Sequence, residues 1–363
     1  MLAADSNAEA TAEPDADRAP ILVVGTGRSG TTLLRLVLNA HPRIYLTHEL
    51  SFYRVRSGLP AAPSAEQFLE RFFRSAAFGL SGLARQAVRA ELERERAAGR
   101  AGPAAAYRAL MRAGARRFGR LRYGDKTPLH ALQLEDIFAD FPDARVIHLV
   151  RDPRATVASL LRMPWAPAST GLNSLFCRRT LEAVRPFRAR ICELRLEDLL
   201  ARPEAELRRV LEFVGEAWDA AVLDHASRGP AGDVPPLPWF AAARRPLQPP
   251  AEPPAWRAQL GPAWIRNIEQ VHRRSMARYG YAPAALEREP SWLERQRARL
   301  ADAGRVARGL AHRRRLLRIT AGDRVADPRE VLACLLQWNP AAWARYPDAV
   351  LPRLRDVPEV PER

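Results

Sequence analysis

The chain has 363 residues, 47% of them apolar, and a formal net charge of +16. Such a length and apolar share support one large core with room for an appendage, and they exclude a disordered chain. The most apolar stretch, Ile21 to Leu38, is broken by three glycines and two arginines, and no run approaches the about 20 residues of a membrane-spanning helix.

The positive charge has an uneven source. Lysine occurs once, at Lys126, which leaves 56 arginines among the 57 Lys and Arg residues. An arginine bias alongside abundant Ala and Pro follows from GC-rich coding, so net charge alone does not argue for nucleic acid, and no nucleic-acid partner is expected. The charge does suit a polyanionic cofactor. The surviving lysine marks a place that needs a compact ammonium on a flexible stem rather than a planar guanidinium. Cys177, Cys192 and Cys334 are widely spaced and odd in number. They show neither a disulfide framework nor metal-ligand spacing, so no metal is expected and a reducing cytoplasm is the simple reading.

Residues 1–19 carry five acids, one arginine and no apolar h-region, which predicts a solvated tail rather than a signal peptide. Residues 20–42 read as a buried strand, a Gly-rich turn and a helix opening at the turn, the front half of a βαβ unit. "RIYLTHEL", residues 43–50, is a short second strand or extended segment. Residues 64–118 are rich in Ala and Arg, with Phe68, Phe72 and Leu80 at helical spacing. They predict two or three helices forming a cap over the site.

In "RYGDKTP", Pro128 suits a helix start. Val146 to Val150 have the length of a strand, Asp152-Pro153 punctuates it, and Ala155 to Arg162 read as a helix. A second strand–loop–helix unit makes the sheet parallel. Ile191 to Leu196 predict a further strand, followed by a helix with Leu207, Val210, Leu211 and Val214 on one face and Gly215 as its stop. Nine prolines between Gly229 and Pro254 mark a loop, either a lid or a connector. Trp256 to Tyr281 return to helical spacing.

Beyond Pro283 the composition shifts. Trp292 to Ile319 hold nine arginines against two acids, with Leu293, Leu300, Val306, Leu310 and Leu317 at near-helical spacing. This is a basic amphipathic helix, interrupted by Gly304 and Gly309. Docking on the protein's own core is the expectation, and a membrane surface, nucleic acid or an acidic partner are the other surfaces it suits. The expected organisation is an acidic tail (1–19), a main domain (20–282) and a basic, mainly helical C-terminal extension (283–363). The expected fold is α/β, a P-loop-like parallel sheet flanked by helices.

The chemistry concentrates in "GTGRSGTTLLR". A loop that leaves a buried strand and opens a helix aims backbone N–H groups and the helix dipole at one point, an anion site. Gly25, Gly27 and Gly30 let the backbone approach phosphate, and Thr26, Ser29, Thr31 and Thr32 bring hydroxyls. Thr31 stands where a nucleotide-triphosphate loop has lysine, and Arg28 supplies the cation instead. The strand Val146 to Val150 ends in Arg151 rather than an acid that could hold Mg²⁺. ATP hydrolysis is therefore disfavoured, and two positive loops suggest a cofactor with phosphates at both ends.

"GTGRSGTTLLR" with "HLVRDPRATVAS" resembles the two cofactor loops of sulfotransferases that use 3′-phosphoadenosine 5′-phosphosulfate (PAPS). "YGDKTP" is similar to that family's G-[DE]-K-x-P element. "RLEDLLARPEAELRRVLEFVG" is similar to its Y-E-D-L-x-x-x-P segment, with Leu196 in place of the tyrosine, and "WRAQL" to "RYGY" looks like its closing segment. The resemblance covers about Pro20 to Tyr281. It implies that Gly25 to Thr32 hold the 5′-phosphosulfate, that Arg151 and Ser159, eight apart, hold the 3′-phosphate, and that adenosine 3′,5′-bisphosphate is the product.

The most similar branch is the bacterial and tyrosylprotein-like one, where an acid after the "HP" turn is the general base. That match points to Glu49, with His48 as the rival. The same branch has an arginine two residues past its glutamate; Ser51 stands here, which weighs against peptidyl-tyrosine. The implied reaction is in-line transfer of a sulfuryl group to a hydroxyl of a glycan, lipid or natural product, with Arg28 and Lys126 stabilising charge. Arg154 either contacts phosphate or solvates the loop, and Glu197 and Asp198 cap or pair structurally. Two alternatives stay open: a kinase with an atypical P-loop, and a nucleotide- or nucleic-acid-binding protein using its basic C-terminal helix.

Overall fold

The computed structural model describes residues 18–228 except Gly58 and Ala61, residues 237–320 except Ala251, and Asn339; for Ala76 and residues 311–320 it describes the backbone alone. The expected acidic tail up to residue 17, residues 229–236 of the Pro-rich stretch and the extension past Thr320, Asn339 apart, lie outside the described residues.

Among the described residues the strands are β1 (Ile21–Gly25), β2 (Ile44–His48), β3 (Arg122–Lys126), β4 (Arg145–Val150) and β5 (Ile191–Arg195). They form one all-parallel sheet in the order β2-β3-β1-β4-β5. After β1 comes α1 (Thr31–Asn39); after β2 come α2 (Phe52–Arg56), α3 (Ala65–Phe73), α4 (Ala76–Ser81), α5 (Arg85–Ala97) and α6 (Gly102–Arg117). Between β3 and β4 lies α7 (Leu134–Asp140), and between β4 and β5 lie α8 (Pro153–Leu160) and α9 (Thr170–Ala183). The chain then forms α10 (Leu196–Ala201), α11 (Pro203–Val214), α12 (His225–Arg228), α13 (Trp256–Gln259), α14 (Pro262–Arg278) and α15 (Trp292–Thr320).

The period of two along a strand makes the layers. Ile21 and Val23 of β1 join Ile147 and Leu149 of β4 on one face, packed with Leu34, Val37 and Leu38 of α1 and Leu207, Val210, Leu211 and Val214 of α11. Leu22 and Val24 join Val146 on the other face, packed with Phe68 and Phe72 of α3, Val88 of α5, Leu110 of α6 and Ile137 of α7. Each such side chain contributes about 1.5–3 kcal/mol by leaving water. The stretch 64–118, expected as a cap of two or three helices, thus forms four, and their apolar faces are an outer layer of the sandwich.

β3 carries no strand pattern in its sequence, since Gly and Asp are depleted in strands. It is inserted between β1 and β2 by tertiary contacts. A Cβ on Gly124 would stand 1.8 Å from the Ile21 carbonyl oxygen and 2.6 Å from Leu46 Cδ2, so no side chain fits there. Arg122 is buried against Glu216, Nη1 to Oε1 2.6 Å. The expected break of the last helix at Gly304 and Gly309 does not occur. Each glycine costs about 1 kcal/mol there, and α15 runs through both.

The parallel topology sends the C-terminal ends of the strands to one edge, where open α/β sheets bind ligands. Gly25, His48, Lys126 and Val150 end their strands there. Gly124→Ala tests the close approach that seats β3: urea denaturation is expected to show a loss of about 1–3 kcal/mol or more, whereas an unchanged midpoint would mean that the strands can part to admit a methyl group.

Candidate active site

The loop Thr26 to Gly30 links β1 to α1. Gly30, the residue before α1, has φ 100°, and a Cβ on it would meet Leu196 Cδ1 at 2.8 Å. No side chain caps this helix, and its first turn holds no acid. Its free amides and dipole therefore favour an anion. Ser29 Oγ is buried without a hydrogen-bond partner among the described residues, the type of orphan that an oxyanion at the loop would satisfy. Arg28 sits at φ 71°, a left-handed backbone that a side-chain-bearing residue rarely adopts and that clusters at functional sites. Thr26 Oγ1 lies 2.5 Å from Thr180 Oγ1, so its hydroxyl ties the loop to α9.

The second loop meets the first. Arg151 Nη1 donates to the Arg28 carbonyl oxygen at 2.9 Å, and Arg28 Nε donates to Ser159 Oγ at 3.2 Å. Arg28, Arg151 and Ser159, 131 positions apart at the extreme, thereby share one locale. Arg154 takes neither of its two expected roles. It is buried, 2.8 Å from Asp152 Oδ2 and 2.6 Å from Glu269 Oε1, with its guanidinium 4.4 Å from the Trp256 ring centroid. Glu197 and Asp198 are structural, as expected. Glu197 accepts from the Asp152 amide at 3.0 Å and from the Tyr281 hydroxyl at 2.8 Å, and Asp198 faces Arg195 and Arg202.

Lys126 ends β3 with a side chain that is 0% exposed. Its Nζ donates to Glu49 Oε1 at 2.5 Å and to Thr32 Oγ1 at 3.2 Å, so it joins the candidate base to the phosphate loop. Burial lowers the pKa of the ammonium, and the Glu49 carboxylate opposes that shift. Glu49 is 40% exposed on the other side of the pair, which leaves it open to an incoming group. The turn that carries it is unusual: Glu49 and Ser51 have φ 41° and 50°.

That turn is held by Asp125, which sequence reasoning passed over. Its buried carboxylate accepts from Thr47 Oγ1 (3.0 Å), the Leu50 amide (3.2 Å), the Tyr107 hydroxyl (2.9 Å) and Thr127 Oγ1 (2.6 Å). Thr127 Oγ1 in turn accepts from the Ser51 amide at 3.1 Å. An aspartate inside a strand and next to the only lysine was the available signal, because strands seldom hold aspartate without a reason. His48 is buried, and desolvation, then Lys126 and Arg35, push its imidazole well below the ordinary value of 6.5. Also unforeseen were Trp239 and Phe240, from the described part of the Pro-rich stretch. The Trp239 carbonyl accepts from Arg28 Nη1 at 3.1 Å, and the Phe240 ring centroid lies 5.8 Å from Lys126 Nζ and 5.0 Å from that of His48.

A sequence model of the sulfotransferase family matches residues 20–220, more than half of the chain. The chain belongs to the sulfotransferase family. This sulfotransferase is 27% identical over 217 residues to protein-tyrosine sulfotransferase A of Caenorhabditis elegans, covering 56% of this chain and 52% of that protein. It is 29% identical over 107 residues to the omega-hydroxy-beta-dihydromenaquinone-9 sulfotransferase Stf3 of Mycobacterium bovis, covering 25% and 28%. The chain thus spans about half or less of these relatives. The fold is similar to that of the sulfotransferase domain from the Synechococcus PCC 7002 olefin synthase, with TM-score 0.52 and 24% identity over 75% of this chain and 97% of that one.

Two substitutions separate positioning from titration at this site. Asp125→Asn is expected to leave adenosine 3′,5′-bisphosphate binding by calorimetry within about twofold while loosening the Glu49 turn, with turnover down about tenfold or more. His48→Asn is expected to move no limb of the pH–kcat profile near 6.5, since the buried imidazole is already neutral there.

Proposed function

We propose that this sulfotransferase moves a sulfuryl group from PAPS to a hydroxyl acceptor, with Glu49 as general base. The observation that carries this reading is the Glu49–Lys126 pair, 2.5 Å long, set beside the Gly-rich loop by the 3.2 Å bond from Lys126 to Thr32. Backbone amides of Gly25 to Thr32, with Arg28 and Ser29, would hold the 5′-phosphosulfate, and Arg151 with Ser159 would hold the 3′-phosphate. The buried orphan Ser29 Oγ and the lack of an acid in the first turn of α1 fit such an anion. When bound, PAPS supplies an activated sulfuryl group and a leaving group that needs no proton.

The chain's own residues then divide the work. Glu49 Oε1 or Oε2 takes the proton of the acceptor hydroxyl, which a base at that place accelerates by about 10²–10⁴-fold. Lys126 Nζ and the Arg28 guanidinium face the negative charge that builds on oxygen, and one such donor contributes about 3 kcal/mol. The ion pair also has a preparatory role. Lys126 Nζ holds Glu49 Oε1 at 2.5 Å and Thr32 Oγ1 at 3.2 Å, which fixes the Glu49 side chain beside the phosphate loop.

The acceptor is a hydroxyl compound, and the names of the two relatives, a protein-tyrosine sulfotransferase and an omega-hydroxy-beta-dihydromenaquinone-9 sulfotransferase, differ widely in acceptor. Ser51 in place of the branch's arginine favours a non-peptide acceptor. An acceptor screen with radiolabelled PAPS tests the reading, and transfer to no hydroxyl compound would count against it. In Glu49→Gln, label transfer is expected to fall about 10²–10⁴-fold while adenosine 3′,5′-bisphosphate still binds; retained turnover would remove Glu49 from the base role.

A further inference from the structure

Among the described residues, seven large apolar side chains are exposed, and they are not scattered. Trp292, Leu293, Leu300 and Leu310 lie on α15, Leu172 and Leu175 on α9, and Leu129 on the Pro128–Leu132 turn, which packs against α9. Isolated exposed leucines are ordinary, but their confinement to one side of a molecule marks a contact surface.

α15 is inverted relative to a core-docking helix. Among its described side chains the one buried most deeply is a carboxylate: Asp302 accepts from Ser169 Oγ (2.6 Å) and from the amides of Thr170 (3.0 Å) and Gly171 (2.9 Å), capping the start of α9. Further polar bonds fasten it, from Asn267 to the Arg295 carbonyl at 3.3 Å and from Arg299 to Gln270 at 3.0 Å. At 3.6 residues per turn, positions 292, 293, 300 and 310 fall within about 100° of arc, and Asp302 points away from that arc. Leu300 is 72% exposed and Trp292 66%. The helix does pack on the rest of the chain, through α14 and α9, but polar contacts anchor it, and Leu293, Leu300 and Leu310 of the expected stripe face outward; the Leu317 side chain lies outside those described.

Arginines frame the stripe. Arg297, Arg299 and Arg308 are exposed on α15 beside the stripe, and Arg179 is exposed one turn past Leu175 on the same face of α9. The acids of the helix do not offset these, because Glu294 is paired with Arg288 at 2.5 Å and Asp302 is buried and paired with Arg305 at 3.1 Å. No described helix is long and apolar enough to cross a membrane.

We propose that the α9–α15 face docks on an anionic phospholipid bilayer surface. A bilayer offers both things that this face asks for, phosphate charge for the arginines and a hydrocarbon boundary for Trp292, Leu293, Leu300 and Leu310. Nucleic acid would answer the arginines and leave the leucines in water. A second copy would answer the leucines and set two arginine-rich faces against each other. The docked face adjoins the Pro128–Leu132 turn, which begins two residues after Lys126, so a lipid surface would come beside the site.

The test is co-sedimentation of the full chain with phosphatidylcholine vesicles, with and without phosphatidylglycerol. Pelleting is expected with the anionic vesicles and is expected to fall as salt rises. Trp292→Ser with Leu300→Ser should weaken it about tenfold or more, and Arg297→Gln or Arg308→Gln about fivefold each. A polarity-sensitive fluorophore on Leu300→Cys should shift to the blue on vesicle addition. All four positions are exposed, and adenosine 3′,5′-bisphosphate binding checks that each variant is folded. Three outcomes would overturn the proposal: no partition into anionic vesicles by the unaltered chain, partition that ignores the leucine and tryptophan changes, or a dimer in sedimentation velocity that Leu300→Ser dissociates.

Discussion

A buried ammonium must be paired, and the active edge of this protein is arranged around the one that Lys126 provides. Moving a cation out of water costs several kcal/mol unless a counter-charge and hydrogen bonds replace the hydration. Lys126 receives both: the Glu49 carboxylate at 2.5 Å and the Thr32 hydroxyl at 3.2 Å. Glu49 can stand there because its turn is clamped by Asp125, itself buried and satisfied by Thr47, Leu50, Tyr107 and Thr127. Asp125 and Lys126 therefore do opposite work from adjacent positions on one strand. The first holds the turn on one side of the sheet, and the second carries charge to the loop on the other.

The sheet makes that division workable. β3 is flanked by β2, which delivers Glu49, and by β1, which delivers the Gly-rich loop. The register pairs His48 with Lys126, so β2 and β3 stop at one level, and pairs Val23 with Lys126, so β1 runs two residues further to Gly25. β4, on the far side of β1, adds Arg151. Glycine at position 124 is the steric condition for this neighbourhood, because a methyl group there would meet the backbone of β1. A backbone constraint three residues from the turn thus underlies the charge pair.

Backbone strain falls in the same place. Arg28, Glu49 and Ser51 are the side-chain-bearing residues with positive φ among the described residues, and two of the three are assigned roles in the proposed reaction. Such conformations cost about 1–3 kcal/mol each and persist where the surroundings over-determine them. Here the surroundings are the Asp125 clamp for Glu49 and the Arg151 and Ser159 contacts for Arg28. The outer helices serve a different end. α3 to α7 bury the sheet, while α15 is fastened by polar bonds and leaves its apolar side outward.

The sequence by itself determined the βαβ start, the parallel sheet and the two phosphate-facing loops, because these are local: continuous apolar runs of strand length, glycine at a turn, and a cation where each loop opens. It also determined that Lys126 was special, since one lysine among 56 arginines is a compositional fact. Tertiary structure decided what depends on distant partners. That "RYGDK" is a strand, that Thr26 turns to Thr180, that Arg154 is locked by Glu269 and that Phe240 reaches Lys126 all rest on contacts between residues far apart in the chain. It likewise decided which side of α15 faces in. Helical periodicity locates an apolar stripe but not its direction, and the bonds from Asp302 of α15 to the start of α9 lie on the inward side while Leu293, Leu300 and Leu310 are exposed.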